Sequence, residues 1–233
     1  MKQLRITLSM SQNLTGDLIL RGNPTLNAYS KLIPELWRQV LMNLRPLDDV
    51  LEEIWSPVIK NARGLVFRIV NMTQDLGLVV SAEKNFAPKL FYITNQDGEH
   101  SGWLAGSPAT SNALQSREEQ LQFALPGAYK GFVRIHNGMM EHGDQTTGIL
   151  PIEHARLLSR EGGQNTQNDD EITSKYLLAF CAYRSGNLQC FDLASPIGAH
   201  DFMTVKWDPQ TRQLSRQETF WGFLKRFAID FLK

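Results

Sequence analysis

Tyr176-Leu177-Leu178-Ala179-Phe180-Cys181-Ala182-Tyr183, then Arg184-Ser185-Gly186-Asn187, then Leu188-Gln189-Cys190-Phe191-Asp192-Leu193: this stretch decides the fold class. The first run is apolar at odd and even positions alike, as in a strand covered on both faces. The four residues after it are turn formers, and the last run leads back as a second strand. The pair reads as the central hairpin of an antiparallel sheet. A turn centred between Ser185 and Gly186 would set Cys181 directly opposite Cys190. Two cysteines in 233 residues are too few for a disulfide framework. In a reducing compartment both are expected as free thiols.

Toward the C-terminus, residues 202–207 alternate, with Met203, Val205 and Trp207 on one face and Thr204 and Lys206 on the other, which predicts a further strand. The chain closes on a helix whose stripe is Phe220, Phe223, Leu224, Phe227 and Phe231, with Thr219 as its candidate N-cap. That stripe should cover the sheet that carries Phe180, Phe191 and Trp207. Toward the N-terminus, residues 159–173 are polar and rich in Gly and Asn, the composition of a mobile loop. A short strand is expected at 148–152. Pro126 suits the first position of a helix carrying Tyr129, Phe132 and Val133, with Asn137-Gly138 ending it. Ser116 and Glu119 have capping-box spacing and predict a helix reaching Ala124.

Residues 106–112 have linker composition, and a domain boundary is placed there. It separates a smaller α+β unit, residues 1–110, from a second domain, 111–233. In the first unit, Leu32, Ile33, Leu36, Trp37, Val40, Leu41 and Leu44 make one apolar stripe, predicting a helix over 29–44. Pro46 breaks it, and Asp49 with Glu52 opens another through Ile54 and Trp55 toward Lys60. Strand-like runs follow at 64–70, 76–80, 90–94 and 101–105, with Asn95-Gln96-Asp97-Gly98 as a hairpin turn between the last two. The fold class is α+β, a mainly antiparallel sheet flanked by helices.

Charge points away from nucleic acid. Lys plus Arg and Asp plus Glu both number 24, and the balance holds locally, with 11 basic and 10 acidic residues up to 110 and 13 and 14 beyond it. Neither part has the basic excess that neutralises phosphates. No secretory signal opens the chain, and no apolar run approaches the roughly 20 residues of a spanning helix. A cytoplasmic protein without membrane insertion is expected.

Leu125-Pro126-Gly127-Ala128-Tyr129-Lys130-Gly131-Phe132, followed by His136-Asn137-Gly138, resembles the signature of the SUKH superfamily. That superfamily includes fungal regulators of cell-wall glucan synthesis, the bacterial Syd proteins and many bacterial immunity proteins. Three further blocks resemble it in order: residues 148–152 as the strand after the signature, the hairpin with Gly186 and Asp192 as its Gly and Asp, and Phe220, Phe223 and Leu224 in the closing helix. Ser185-Gly186-Asn187 stands where members usually read Gly-Gly-Asp, and the first 105 residues lie outside the likeness. The resemblance implies a SUKH-like domain over 111–233 that serves as a non-enzymatic protein-binding scaffold, with a toxin domain as a protein partner to be neutralised by direct binding.

Motifs for catalysis or cofactors give no competing signal. The five histidines form no two-His helical motif, and neither cysteine lies in a Cys-x-x-Cys pair, so no metal or cofactor is expected. Cys181 reads as a buried structural thiol. The candidate partner-binding residues are charged or polar loop positions: Glu141, His142, Asp144, Glu153, Asp169, Asp170, Glu171 and Asp201. Ordinary solvation explains any one of them equally well. Two other readings stay open: a regulatory or secretion-associated scaffold, and a hydrolase or nuclease with Asp192, Asp201 and a histidine in one cleft.

Overall fold

The computed structural model describes residues 4–8, 14–55, 75–81, 87–96, 99–141, 144–159 and 176–231. Their strands form one antiparallel sheet. Strands β1 (Leu4–Leu8), β2 (Leu14–Leu20), β3 (Asp75–Ser81), β4 (Lys89–Gln96) and β5 (Glu99–Ala105) run in order from one edge. Then come β6 (Met139–Glu141), β7 (Asp144–Ile149), β9 (Tyr176–Ala182), β10 (Leu188–Pro196), β11 (Phe202–Asp208) and β12 (Gln213–Glu218), with β8 (Arg156–Ser159) paired to the first part of β9. The expected boundary falls on the coil between β5 and the next helix, while the sheet crosses it through the pairing of β5 with β6.

Among the described residues five α-helices serve this sheet: α1 (Glu35–Leu41), α2 (Leu47–Trp55), α3 (Ser111–Leu121), α4 (Gly127–Val133) and α5 (Phe220–Phe231). The largest core cluster joins Trp37 and Trp55 of the first two to Phe132 of α4, Phe223 of α5 and the strand residues Tyr92 and Phe180. Alternation sends the other strand side chains to the opposite face, where two smaller clusters form. One centres on Phe91 and Leu104, the other on Cys190, Val205 and Trp207. The α5 stripe packs as expected, Phe223 lying 5.0 Å from Phe180 and Phe220 5.4 Å from Phe191, ring centre to ring centre. Trp207 shares that sheet and looks out from its other face.

Several expectations need correcting. The helix expected over 29–44 is the shorter α1, because Pro34 occupies its N-cap, and a 3-10 helix, Pro24–Tyr29, precedes it. Leu32 and Leu44, the ends of the expected stripe, are exposed. Helix α3 starts five residues before Ser116, since Thr110 caps it by accepting from Ala113 N at 3.2 Å, and it ends at Leu121 with Gln122 left-handed. Pro126 is the N-cap of α4 rather than its first residue. Gly138 takes its positive φ of 86° beyond the helix, at the entry to β6. The strand expected at 148–152 is β7, which stops at Ile149, and Ser159 belongs to β8.

The cysteines do not face each other. Cys181 pairs with Gln189 and Cys190 with Ala179, because a bulge absorbs one residue between these pairs. Phe180 and Cys181 therefore both enter the helix-covered core, while Cys190 lies in the cluster on the opposite face. Both thiols are free. Strands β4 and β5 pair as far as Gln96↔Glu99, the hairpin expected there, although Asp97 and Gly98 lie outside the described residues. So do the strand expected at 64–70, most of the loop expected at 159–173, and the continuation toward Lys60 expected of the second helix.

Candidate functional site

The segment from Leu125 to Gly138 spends its apolar groups on the core and its polar groups on one turn. Leu125, Tyr129, Phe132 and Val133 are buried, and Tyr129 donates from its hydroxyl to Leu150 O at 2.9 Å. Asn137 accepts at Oδ1 from Ile152 N at 2.8 Å and donates from Nδ2 to both Glu153 oxygens at 3.1 Å. Gly138 lies against the same turn, where a Cβ would come within 2.7 Å of Pro151 N at a positive φ. The signature thus clamps residues 150–153 and presents the exposed Glu153 carboxylate outward.

Beside this clamp opens a pocket of about 380 Å³. Its walls come from both parts of the chain: Lys89, Leu104 and Ser107 on one side, Gly138, Met140 and Glu153 on the other. Lys89 occupies a position on β4 that alternates with Phe91 and Ile93, so it leaves the sheet on the face away from the helices. Burial holds its ammonium below the usual lysine range. Among the described residues no group forms a hydrogen bond or an ion pair with it.

His136 points the other way, into the core. Its Nε2 shares a 2.8 Å hydrogen bond with the Tyr92 hydroxyl, and Trp37, Trp55 and Phe132 surround the ring. Burial pushes its pKa down to about 3, so the imidazole is neutral at physiological pH. Burial also pushes the Cys181 and Cys190 thiols well up, which removes the thiolate a nucleophile needs.

Asp192, on the face opposite His136, accepts from Ala194 N at 3.2 Å and Ser195 Oγ at 2.9 Å. Asp201 caps α4 from across the chain, accepting from Ala128 N at 2.8 Å, while His200 O accepts from Gly127 N at 2.8 Å. His136, Asp192 and Asp201 therefore sit in three separate environments and do not share a cleft. Of the remaining family positions, Pro126 is buried, Gly186 takes a positive φ of 84° in the β9–β10 turn, and Leu224 packs in the core with Phe220 and Phe223.

The candidate binding residues are scattered. Glu141 accepts from Arg184 Nη2 at 3.3 Å, and Asp144 begins β7 directly opposite it in register. Among the described candidates, Glu153 alone lines the pocket. His142, Asp169, Asp170 and Glu171 lie outside the described residues. Lys89 escaped the sequence reading. Its signal was a lysine in phase with two buried apolar residues of one strand, visible only once the strand's faces are assigned.

The family model described as SMI1 / KNR4 family (SUKH-1) matches residues 108–226, just over half of the chain. No curated protein and no solved structure matches the chain. Among the described residues no helix is long and apolar enough to cross a membrane.

Proposed function

The chain belongs to the SMI1/KNR4 family (SUKH-1), and from that premise we propose that it is a protein-binding module without catalytic chemistry of its own, an immunity protein that neutralises a toxin domain by direct binding. Membership by itself is consistent with an immunity-like or a regulatory module. One observation carries the binding reading. The signature's polar groups are consumed in shaping a surface: Tyr129 holds Leu150, and Asn137 holds both Ile152 and Glu153, beside a pocket. A scaffold that spends its family residues on presentation suits recognition better than chemistry.

The test is co-expression. Paired with a toxin domain encoded beside its gene, the protein should restore growth and co-purify as a stable complex. Single replacement of His136, Cys181 or Asp192 should leave protection intact wherever the fold survives. Turnover of a substrate by the purified protein alone, lost on one such replacement, would overturn the proposal. Binding without protection would instead favour a regulatory scaffold.

A further inference from the structure

The pocket beside the signature turn is lined by one cation, Lys89, and one carboxylate, Glu153; Glu153 is held by Asn137 Nδ2, and among the described residues no ion pair joins the two. Its other polar groups are committed: Ser107 donates from its hydroxyl to Pro88 O at 2.7 Å, Asn137 is engaged by Ile152 and Glu153, and Gly106 N donates to Gly138 O at 3.0 Å. Lys89 is the exception, half-buried in a lining it shares with Leu104 and Met140, with three ammonium donors and no acceptor among the described residues. Taking an ammonium partly out of water without a partner costs free energy, and an incoming carboxylate recovers it through a charge-assisted hydrogen bond. The apolar walls suit the methylenes of a short acidic side chain. The volume of about 380 Å³ lies at the small end of the range for ligand pockets.

We propose that this pocket receives a glutamate or aspartate side chain from a protruding loop of the partner protein, its carboxylate on Lys89 and its stem against Leu104 and Met140. The exposed Glu153 carboxylate at the rim then meets a backbone N–H or a basic group beside the inserted residue, so the pocket reads an acidic residue next to a donor. Like charge beside the entrance disfavours a strand of consecutive acids, which gives the site selectivity for a single inserted carboxylate. This inference rests on the protein-binding reading and adds to it the chemistry that the binding surface selects.

The test separates the two. N-acetyl-glutamate methylamide and its glutamine counterpart, which differ only in the carboxylate, are titrated into the full-length protein while backbone amide resonances are followed by NMR. The glutamate probe should shift Gly106, Ser107 and Gly138 saturably and the glutamine probe should not. Lys89→Met, which keeps the apolar stem, should abolish the response, and Lys89→Arg should retain it. Equal responses to both probes, no saturation, or an unchanged response in Lys89→Met would overturn the proposal. The spectrum of each variant away from the pocket reports whether its fold is intact. In a complex with a toxin partner, Lys89→Met should weaken affinity at least about tenfold. Full affinity in that variant would show that the partner does not use the pocket. A protein that binds the glutamate probe yet engages no protein partner would leave the pocket's chemistry standing and remove the protein-binding reading.

Discussion

A neutral histidine locked among aromatic rings makes stability depend on acidity. As pH falls, the unfolded chain takes up the His136 proton near pH 6.5, while the folded chain resists it until about pH 3. The stability tied to this group is therefore fully present above about pH 6.5 and is lost progressively as pH falls toward 3. Between pH 7 and pH 5 the loss from this one group is about 2 kcal/mol. Urea titrations at the two values should show it, and His136→Phe should flatten the slope by that amount. The variant itself should be less stable at pH 7 by about 1–3 kcal/mol, since the buried Tyr92 hydroxyl loses its partner. An unaltered slope would place the acid sensitivity elsewhere. None of this was readable from His136 in sequence, where it stands as one histidine before Asn137-Gly138. The partners that make it inert come from α1, α2 and β4, and only the fold brings them together.

Elements with a strong internal period were legible, and those specified by neighbours were not. The stripe of α5 was clear because aromatic residues at helical spacing have one use, and all of Phe220, Phe223 and Phe227 are buried. Phe223→Ala should cost about 3–5 kcal/mol, read as a lower denaturation midpoint, because its ring packs on Phe180 and Phe227 with no exposed surface. Beneath α5 a polar chain pins the helix to the sheet. Arg226 donates to Glu218 at 2.6 Å, Tyr183 to Gln189 at 2.9 Å, and Gln189 to Thr204 at 3.2 Å. Strand β12 was missed because Gln213–Glu218 is a polar, exposed edge that has no buried face to impose alternation. Strand β6 was missed because three residues carry no period at all. The cap of α4 was invisible for a different reason: Asp201 stands 73 residues from the N–H it accepts. Asp201→Ala should lower stability by about 0.5–2 kcal/mol, as loss of a capping side chain does. If the midpoint stays fixed while partner binding falls, Asp201 acts at the interface, as its charge and loop position suggest.

At the scale of the whole molecule, the three-residue β6 has a role out of proportion to its length. It pairs with β5 on one edge and β7 on the other, and so carries the hydrogen-bonded sheet from the first part of the chain into the second. The core follows the same route, with Trp55 of α2 in contact with Phe132 of α4, and Trp103 of β5 with Phe227 of α5. Linker composition at 106–112 is a local property of the chain, whereas packing across it depends on residues far apart in sequence, which is why composition does not report the continuity. Units that share a core and a sheet lose most of each other's burial when one opens, so they should open together. The full chain is therefore expected to unfold in one transition, with tryptophan fluorescence and far-ultraviolet circular dichroism giving the same midpoint. Native-state hydrogen exchange tests this locally. Amides of Leu90 to Ile93 in β4 and of Leu177 to Cys181 in β9 should share one opening free energy, equal to that of global unfolding. Two plateaus, or a β4 that exchanges through its own lower-energy opening, would show that the parts on either side of β6 are energetically separate despite the sheet that joins them.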